Sequence, residues 1–308
     1  MTLCHVPNVS RMCSPRHRLI GALAGLALLV GCGGDDPAPT VELQGGFDAA
    51  RAFADLREQV ELGPRPSGSR ANERLTHLLA SKLRDAGVGD VGIQRPLRNV
   101  VGVIPGSQPG YVVIGAHHDT KNGIPGFVGA NDGASGVAVV LELARSLPRP
   151  LPGPSIAIAL FDGEEARGDR PFEVDGKRGS TQYVELAERG GGQETPPLDE
   201  IEAMVLYDMV GDCDLAVPYE PISDPALYGL FSEADPATFS GRTFPIDDDH
   251  APFVDRDVPA VDLIDFDYGA GPSPGDLWHT PGDTLEQVCP ESLEAVGEAS
   301  LEALPGIR

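Results

Sequence analysis

Positive charge is scarce in this chain. Only Lys82, Lys121 and Lys177 are lysines among 308 residues, and 23 basic residues face 47 acidic ones, a net charge of −24. Such a polyanion repels phosphate backbones, and no Lys/Arg run offsets that field, so nucleic-acid binding is excluded. Also missing is an apolar run of the ~20 residues that a bilayer span needs. No internal repeat and no convincing second linker divides the chain. What is present is a hydrophobic fraction of 41%, enough for a real core.

The N-terminal segment reads as an export signal. Arg16, His17 and Arg18 precede an apolar stretch from Leu19 to Val30, too short to span a membrane. Its ending, Leu29-Val30-Gly31-Cys32, resembles a bacterial lipobox, which implies lipidation of Cys32 and a start for signalling purposes at Met1 or, at a more typical length, Met12. Residues 1–31 are thus expected to be a lipoprotein signal peptide and 32–46, rich in Gly, Asp and Pro, a flexible tether. Residues 47–308 form a single catalytic domain on this reading. Removing 1–31 takes away Arg11, Arg16 and Arg18 and no acid, leaving 20 basic against 47 acidic residues, or −27. The expected product is an exported lipoprotein, anchored to a membrane in the periplasm or at the cell surface by lipid alone. Cys213 and Cys289 then remain in a compartment that permits a disulfide.

Helical spacing of Phe47, Ala50, Phe53, Leu56 and Val60 predicts a first helix, and Ser69 can cap a second carrying Leu75, Leu78, Leu79 and Leu83. Asn99 to Ile104 and Tyr111 to Ala116 read as strands of a hairpin joined by a Pro/Gly-rich turn. Helices at Gly136 to Leu147, Ser180 to Arg189 and Glu291 to Leu304 then alternate with apolar strands at Ser155 to Phe161, Ala203 to Tyr207 and Val258 to Ile264. Strands without polar alternation are buried on both faces, so the fold class is α/β, a three-layer sandwich with a mixed, largely parallel central sheet.

Histidines and acids fall at the strand ends. His117-His118-Asp119 follows one strand, Asp162-Gly163-Glu164-Glu165 the next and Asp208 a third, while Asp249-His250 and Trp278-His279 flank the last. Open α/β sheets place their sites beyond the carboxyl ends of strands, and Asp132 at a helix start can join the group. A His/Asp/Glu set without thiolates suits zinc or another divalent ion at a hydrolytic centre.

The segments Gly115-Ala116-His117-His118-Asp119, Gly129-Ala130-Asn131-Asp132-Gly133, Glu164-Glu165, Asp208-Met209-Val210-Gly211 and His279-Thr280 together resemble metallopeptidase family twenty-eight. That family contains zinc aminopeptidases and glutaminyl cyclases, and the likeness runs from about Leu62 to the C-terminus. The resemblance implies a zinc exopeptidase fold of phosphorylase/hydrolase type. It implies Asp132 as a ligand that bridges or coordinates zinc, with Glu165 and His279 on one ion and His117 and Asp208 on a second where there is one, and Glu164 as general base and acid. Asp119 would orient His117 from behind. One ion is implied for a cyclase and one or two for an aminopeptidase.

Details divide the two branches. Phe161-Asp162-Gly163-Glu164-Glu165-Ala166, an insertion from Arg167 to Arg178, the Asp248-Asp249-His250-Ala251-Pro252-Phe253 stretch and a pocket residue Trp278 are similar to the cyclases. Asn131 to Gly136 and Tyr207 to Gly211 look more like aminopeptidases, and the insertion carries Phe172 where animal cyclases have Trp. The balance favours a cyclase converting N-terminal glutamine to pyroglutamate, with Asp208 and Asp249 stabilising protonated Glu164; the alternative is an aminopeptidase. An inactive binding ectodomain of this fold fits less well, since all five ligands and Glu164 are in place. The partners implied are peptide or protein N-termini, whose positive charge the acidic field attracts. Nothing in the chain requires more than a monomer.

Overall fold

The computed structural model describes residues 46–307 except residue 242. The signal peptide, Cys32 and all but the last residue of the tether lie outside the described residues. Among those described, no helix is long and apolar enough to cross a membrane.

The chain runs α1 (Ala49–Val60), α2 (Arg70–Asp85), β1 (Gly89–Ile93), β2 (Val100–Ile104), β3 (Tyr111–His117), α3 (Ala134–Ser146), β4 (Ser155–Phe161), α4 (Phe172–Asp175), α5 (Arg178–Glu188), β5 (Ile201–Asp208), α6 (Pro225–Ala234), α7 (Ala251–Val254), β6 (Ala260–Ile264) and α8 (Pro290–Ala303). Local chemistry sets many of these ends. Ser69 caps α2 by accepting the Asn72 N–H, Asp224 caps α6, and α6 and α8 begin with proline, whose missing N–H costs nothing there.

One six-stranded sheet has the order β1-β2-β4-β3-β5-β6. β4, β3, β5 and β6 are parallel, and β2 and β1 join antiparallel at one edge. The expected hairpin of the second and third strands is therefore corrected: β4 lies between them. Residues 105–110 cross over the entry to β4, where Ser107 and Gln108 donate to the Leu151 and Gly153 carbonyls. The reason is burial, since Ile156 to Phe161 have no wet face and belong between two neighbours.

Alternating strand residues build the two faces. Val112, Ile114, Ile156, Ile158, Val205 and Leu263 pack with α1, α2, α3, α6 and α8, whereas Val113, Ala157, Ala159, Met204 and Leu206 pack under α5 and α7. Three layers result. α3 is buried on every side except at Arg145, and its buried acid, Glu142, pairs with Arg51 and Arg145. Its close seat on the sheet depends on Gly136, where a Cβ would lie 1.9 Å from the Tyr207 carbonyl oxygen.

Candidate metal centre and cavity

Because β3 to β6 are parallel, their carboxyl ends meet at one edge of the sheet. His117 is the last residue of β3, Glu164 and Glu165 follow β4, and Asp208 ends β5. The loop after β6 brings in Trp278 and His279, and the segment entering α3 brings in Asp132. Gly133 makes that entry possible: its φ is +95°, and a Cβ would meet the Asp119 carbonyl at 2.9 Å and His117 Cε1 at 3.0 Å.

His117 Nε2 lies 3.2 Å from Asp132 Oδ1 and 3.2 Å from Asp208 Oδ1. His279 Nε2 lies 3.3 Å from Asp132 Oδ2 and 3.0 Å from Glu165 Oε1. Two three-donor sets thus share Asp132, the donor atoms of each lying within 4.8 Å of one another. His117 Nε2, Asp132 Oδ2 and Asp208 Oδ1 are buried without a hydrogen-bond partner, a costly state that a cation relieves. Burial opposes charge on His117 and His279, yet the carboxylates prevail. His117 rises well above its ordinary value and His279 to about 9. Burial likewise opposes ionisation of Asp132, but the two imidazoles hold its carboxyl below the usual range. The cluster demands positive charge, and its N/O donors suit a divalent ion such as zinc.

The adjacent glutamates diverge. Glu165 faces His279 and sits 3.4 Å from Lys121 Nζ. Glu164 lines the cavity, with Oε2 3.9 Å from His117 Nδ1. Burial, with the charges of Glu165, Asp249 and Asp208, raises the Glu164 carboxyl well above the carboxylate range. Asp119 stands beside His117, its Oδ1 3.8 Å from Nδ1, and the same oxygen accepts the N–H groups of Gly163 at 2.8 Å and Glu164 at 3.1 Å. It holds the Glu164 turn.

The cavity has a volume of about 250 Å³. Its floor is acidic, and Phe172, Ile246, Ile264, Phe266 and Trp278 form an apolar collar. Trp278 stacks on His279 with centroids 3.9 Å apart. Asp248 lines the cavity, while Asp249 accepts the Ser180 hydroxyl and acts on Glu164 through its charge. The expected pocket position of His250 needs correction. His250 is buried away from the cavity, its Nε2 3.2 Å from Glu220 Oε2 and its Nδ1 3.8 Å from Asp262 Oδ2.

Supporting residues escaped sequence reading. Buried Arg65 donates to the Val128 and Gly129 carbonyls beside Asp132, and burial lowers its guanidinium to about 10. Asp283 accepts from Asn131 and Asp132. Asp283 has no local signal beyond standing four residues after His279, and Arg65 has none. Cys213 and Cys289 form a disulfide with Cα atoms 4.8 Å apart, tying the segment after β5 to the start of α8.

Residues 99–304 match the model of peptidase family M28. The glutaminyl-peptide cyclotransferase of Boiga irregularis is 27% identical over 241 residues, which is 66% of this chain and 64% of that protein's length. The glutaminyl cyclase of an Acidobacteriales bacterium superposes with a TM-score of 0.77 at 28% identity, covering 89% of this chain and 99% of that one. A Zn-dependent exopeptidase from Parabacteroides distasonis gives 0.71 at 26% identity, covering 84% and 98%. Sheet order, strand-end donors and these similarities agree, and the chain belongs to peptidase family M28.

Proposed function

We propose that this chain is a zinc-dependent glutaminyl cyclase acting on the free N-terminus of peptides. The observation that carries the reading is Glu164, a buried carboxyl with a raised pKa at the wall of a small, acidic-floored cavity beside the donor cluster. The acidic floor suits an ammonium group, the collar suits the aliphatic part of a side chain, and about 250 Å³ leaves room for little beyond the first residue.

Asp132, Glu165 and His279 would hold zinc, with His117 and Asp208 available for a second ion or for support of Asp132. When bound, the metal supplies Lewis acidity toward the side-chain carbonyl of the N-terminal glutamine. Glu164 takes a proton from the α-amine as its nitrogen bonds to the side-chain carbonyl carbon. It then passes that proton to the departing amide nitrogen, which leaves as ammonia. A carboxyl raised well above its ordinary range holds a proton more readily, which suits both transfers. Asp208 and Asp249 favour the protonated form of Glu164 through their charge.

A second reading, an aminopeptidase, is favoured by one observation: two donor sets share Asp132, as a two-metal hydrolase requires. Glu164 would then deprotonate a water that attacks the first peptide bond. Matched glutaminyl and leucyl fluorogenic substrates separate the two. Ammonia release with a blocked N-terminus supports the cyclase, and release of a free amino acid overturns it.

We further propose lipidation at Cys32 and export, supported by the lipobox-like ending and by a disulfide of the kind oxidising compartments allow. Partition of the expressed protein into detergent, lost in Cys32→Ala, tests this.

A further inference from the structure

A groove of about 1020 Å³ lies beside the cavity and shares Asp247 with its lining. Phe172 of α4 faces the cavity, while Glu173, Val174 and Lys177 face the groove. Asp247 borders both, and Lys177 pairs with it while sitting 4.8 Å over the Phe172 ring. Cavity and groove thus adjoin at α4 and Asp247, so a polypeptide whose first residue fills the cavity has the groove beside it.

The groove differs from the rest of the surface in two ways. Val174 is 82% exposed and Ile222 38%, and among the described residues these are the exposed large hydrophobic side chains. Both line the groove. Single exposed apolar residues are ordinary, but two converging on one concavity beside a site mark a surface that something covers. Charge is the second difference. Arg95, Arg167, Lys177, Arg178, Arg189 and Arg256 line the groove against four acids, although acids outnumber bases 47 to 23 in the whole chain. Several of these cations serve the fold: Arg167 is bound to Asp175, and Arg178 donates to the Glu165 and Asp175 carbonyls. Arg95 and Arg189 lie exposed. Arg95 donates to the Gln94 carbonyl, and Arg189 has one surface pair, with Glu185 at 3.1 Å. Exposed pairs of that kind are weak and exchange readily for an incoming carboxylate.

We infer that this groove receives the stretch of substrate peptide downstream of its N-terminal residue, selecting an apolar side chain against Val174 and Ile222 and acidic side chains toward Arg95 and Arg189. The inference rests on reading the cavity as the seat of a peptide N-terminus. It gives the molecule opposite charge preferences at two adjoining places, cationic for the terminus and anionic for the downstream residues.

The test uses a glutaminyl dipeptide amide and decapeptides that begin with the same two residues and continue with either acidic and apolar or basic and apolar residues. The acidic decapeptide is expected to exceed the dipeptide in kcat/KM by about three- to ten-fold, mainly through KM, with the advantage shrinking at high salt. The basic decapeptide gains nothing. Val174→Asp and the pair Arg95→Glu with Arg189→Glu collapse the ratio of long to short substrate. If the dipeptide reacts and the acidic tail brings no gain, or the variants keep the gain, the groove assignment falls. Anisotropy of the fluorescein-labelled peptides on the Glu164→Gln protein reads the groove without turnover. If neither substrate is cyclised but the acidic decapeptide binds more tightly than the dipeptide and the arginine pair is required, the groove stands and the cyclase reading falls.

Discussion

Asp283 accepts the backbone N–H of Asp132 at 3.1 Å and, through its other oxygen, that of Asn131 at 2.8 Å. The Tyr268 hydroxyl donates to the same carboxylate at 2.7 Å. Asp283 stands four residues beyond His279, so it fastens the segment that carries one metal-type donor to the segment that carries another. Burial, with the neighbouring charge of Asp132, pushes its carboxyl up to about 6. Asp283→Ala frees both N–H groups and loosens Asp132. Zinc affinity, measured by competition with a chelator, is expected to fall by about 10- to 100-fold, as for other residues that support ligands. Unchanged affinity would show that Asp132 is held by other contacts.

Glu164→Gln keeps the shape of the cavity and the backbone bonds to Asp119 but cannot carry a proton. Turnover is expected to drop by about 10²- to 10⁴-fold or more while zinc content and melting temperature stay near wild type. Near-normal activity would remove Glu164 from the chemistry.

Trp278 is the sole tryptophan of the chain, and it stacks on His279. Intrinsic emission therefore reports on the donor cluster without labelling. Adding zinc to chelator-stripped protein should change the emission saturably at the stoichiometry of bound metal. His279→Ala should abolish most of that response, and a response that survives the substitution would place the metal elsewhere.

Without metal, stability should fall as pH rises. Burial pushes the Asp249 carboxyl from 3.8 up to about 7, and burial likewise raises Asp265 to about 7. A carboxyl raised in this way binds its proton more tightly in the folded chain. Its contribution is full below about 3.8 and is lost as pH climbs through about 7. His279, raised to about 9, acts in the same direction at higher pH. Between about pH 5 and 8 the metal-free protein should lose on the order of 1–3 kcal/mol. Asp249→Asn, whose amide oxygen still accepts from Ser180, should flatten that slope. A stability that rises across the window contradicts the assignment.

The Cys213–Cys289 disulfide joins residues 76 positions apart. Cys213→Ala with Cys289→Ala should lower unfolding free energy by about 2–4 kcal/mol in denaturant titrations. Because Cys289 also donates its backbone N–H to the Gly211 carbonyl, the local pairing can persist and turnover of the folded fraction should change less than stability.

Most of the helices and the four parallel strands were readable from local pattern, because periodicity and strand apolarity are set by near neighbours along the chain. β1 was not, since Gly89 to Ile93 is half-exposed and glycine-rich, without a clear alternation. α6 also went unread, although Asp224 before Pro225 is an ordinary start signal. The neighbour of β2 was misread for a different reason. A six-residue connection permits a hairpin locally, but inserting the wholly apolar β4 between β2 and β3 buries more surface, and that gain is nonlocal.

The candidate site divides in the same way. The sequence placed acids and histidines at the ends of buried strands, and its resemblance to the metallopeptidase family singled out His117, Asp132, Glu164, Glu165, Asp208 and His279. The tertiary structure placed Asp132 in both donor sets, and it alone decided that Asp119 accepts from the Glu164 turn and that Asp248 lines the cavity while Asp249 accepts from Ser180. It also set Asp283 against Asp132 and placed a cationic groove beside an acidic cavity. The physical reason is common to all of these: residue type and local period choose what each segment is, while direction, distance and charge environment arise only when segments far apart in the chain are packed together.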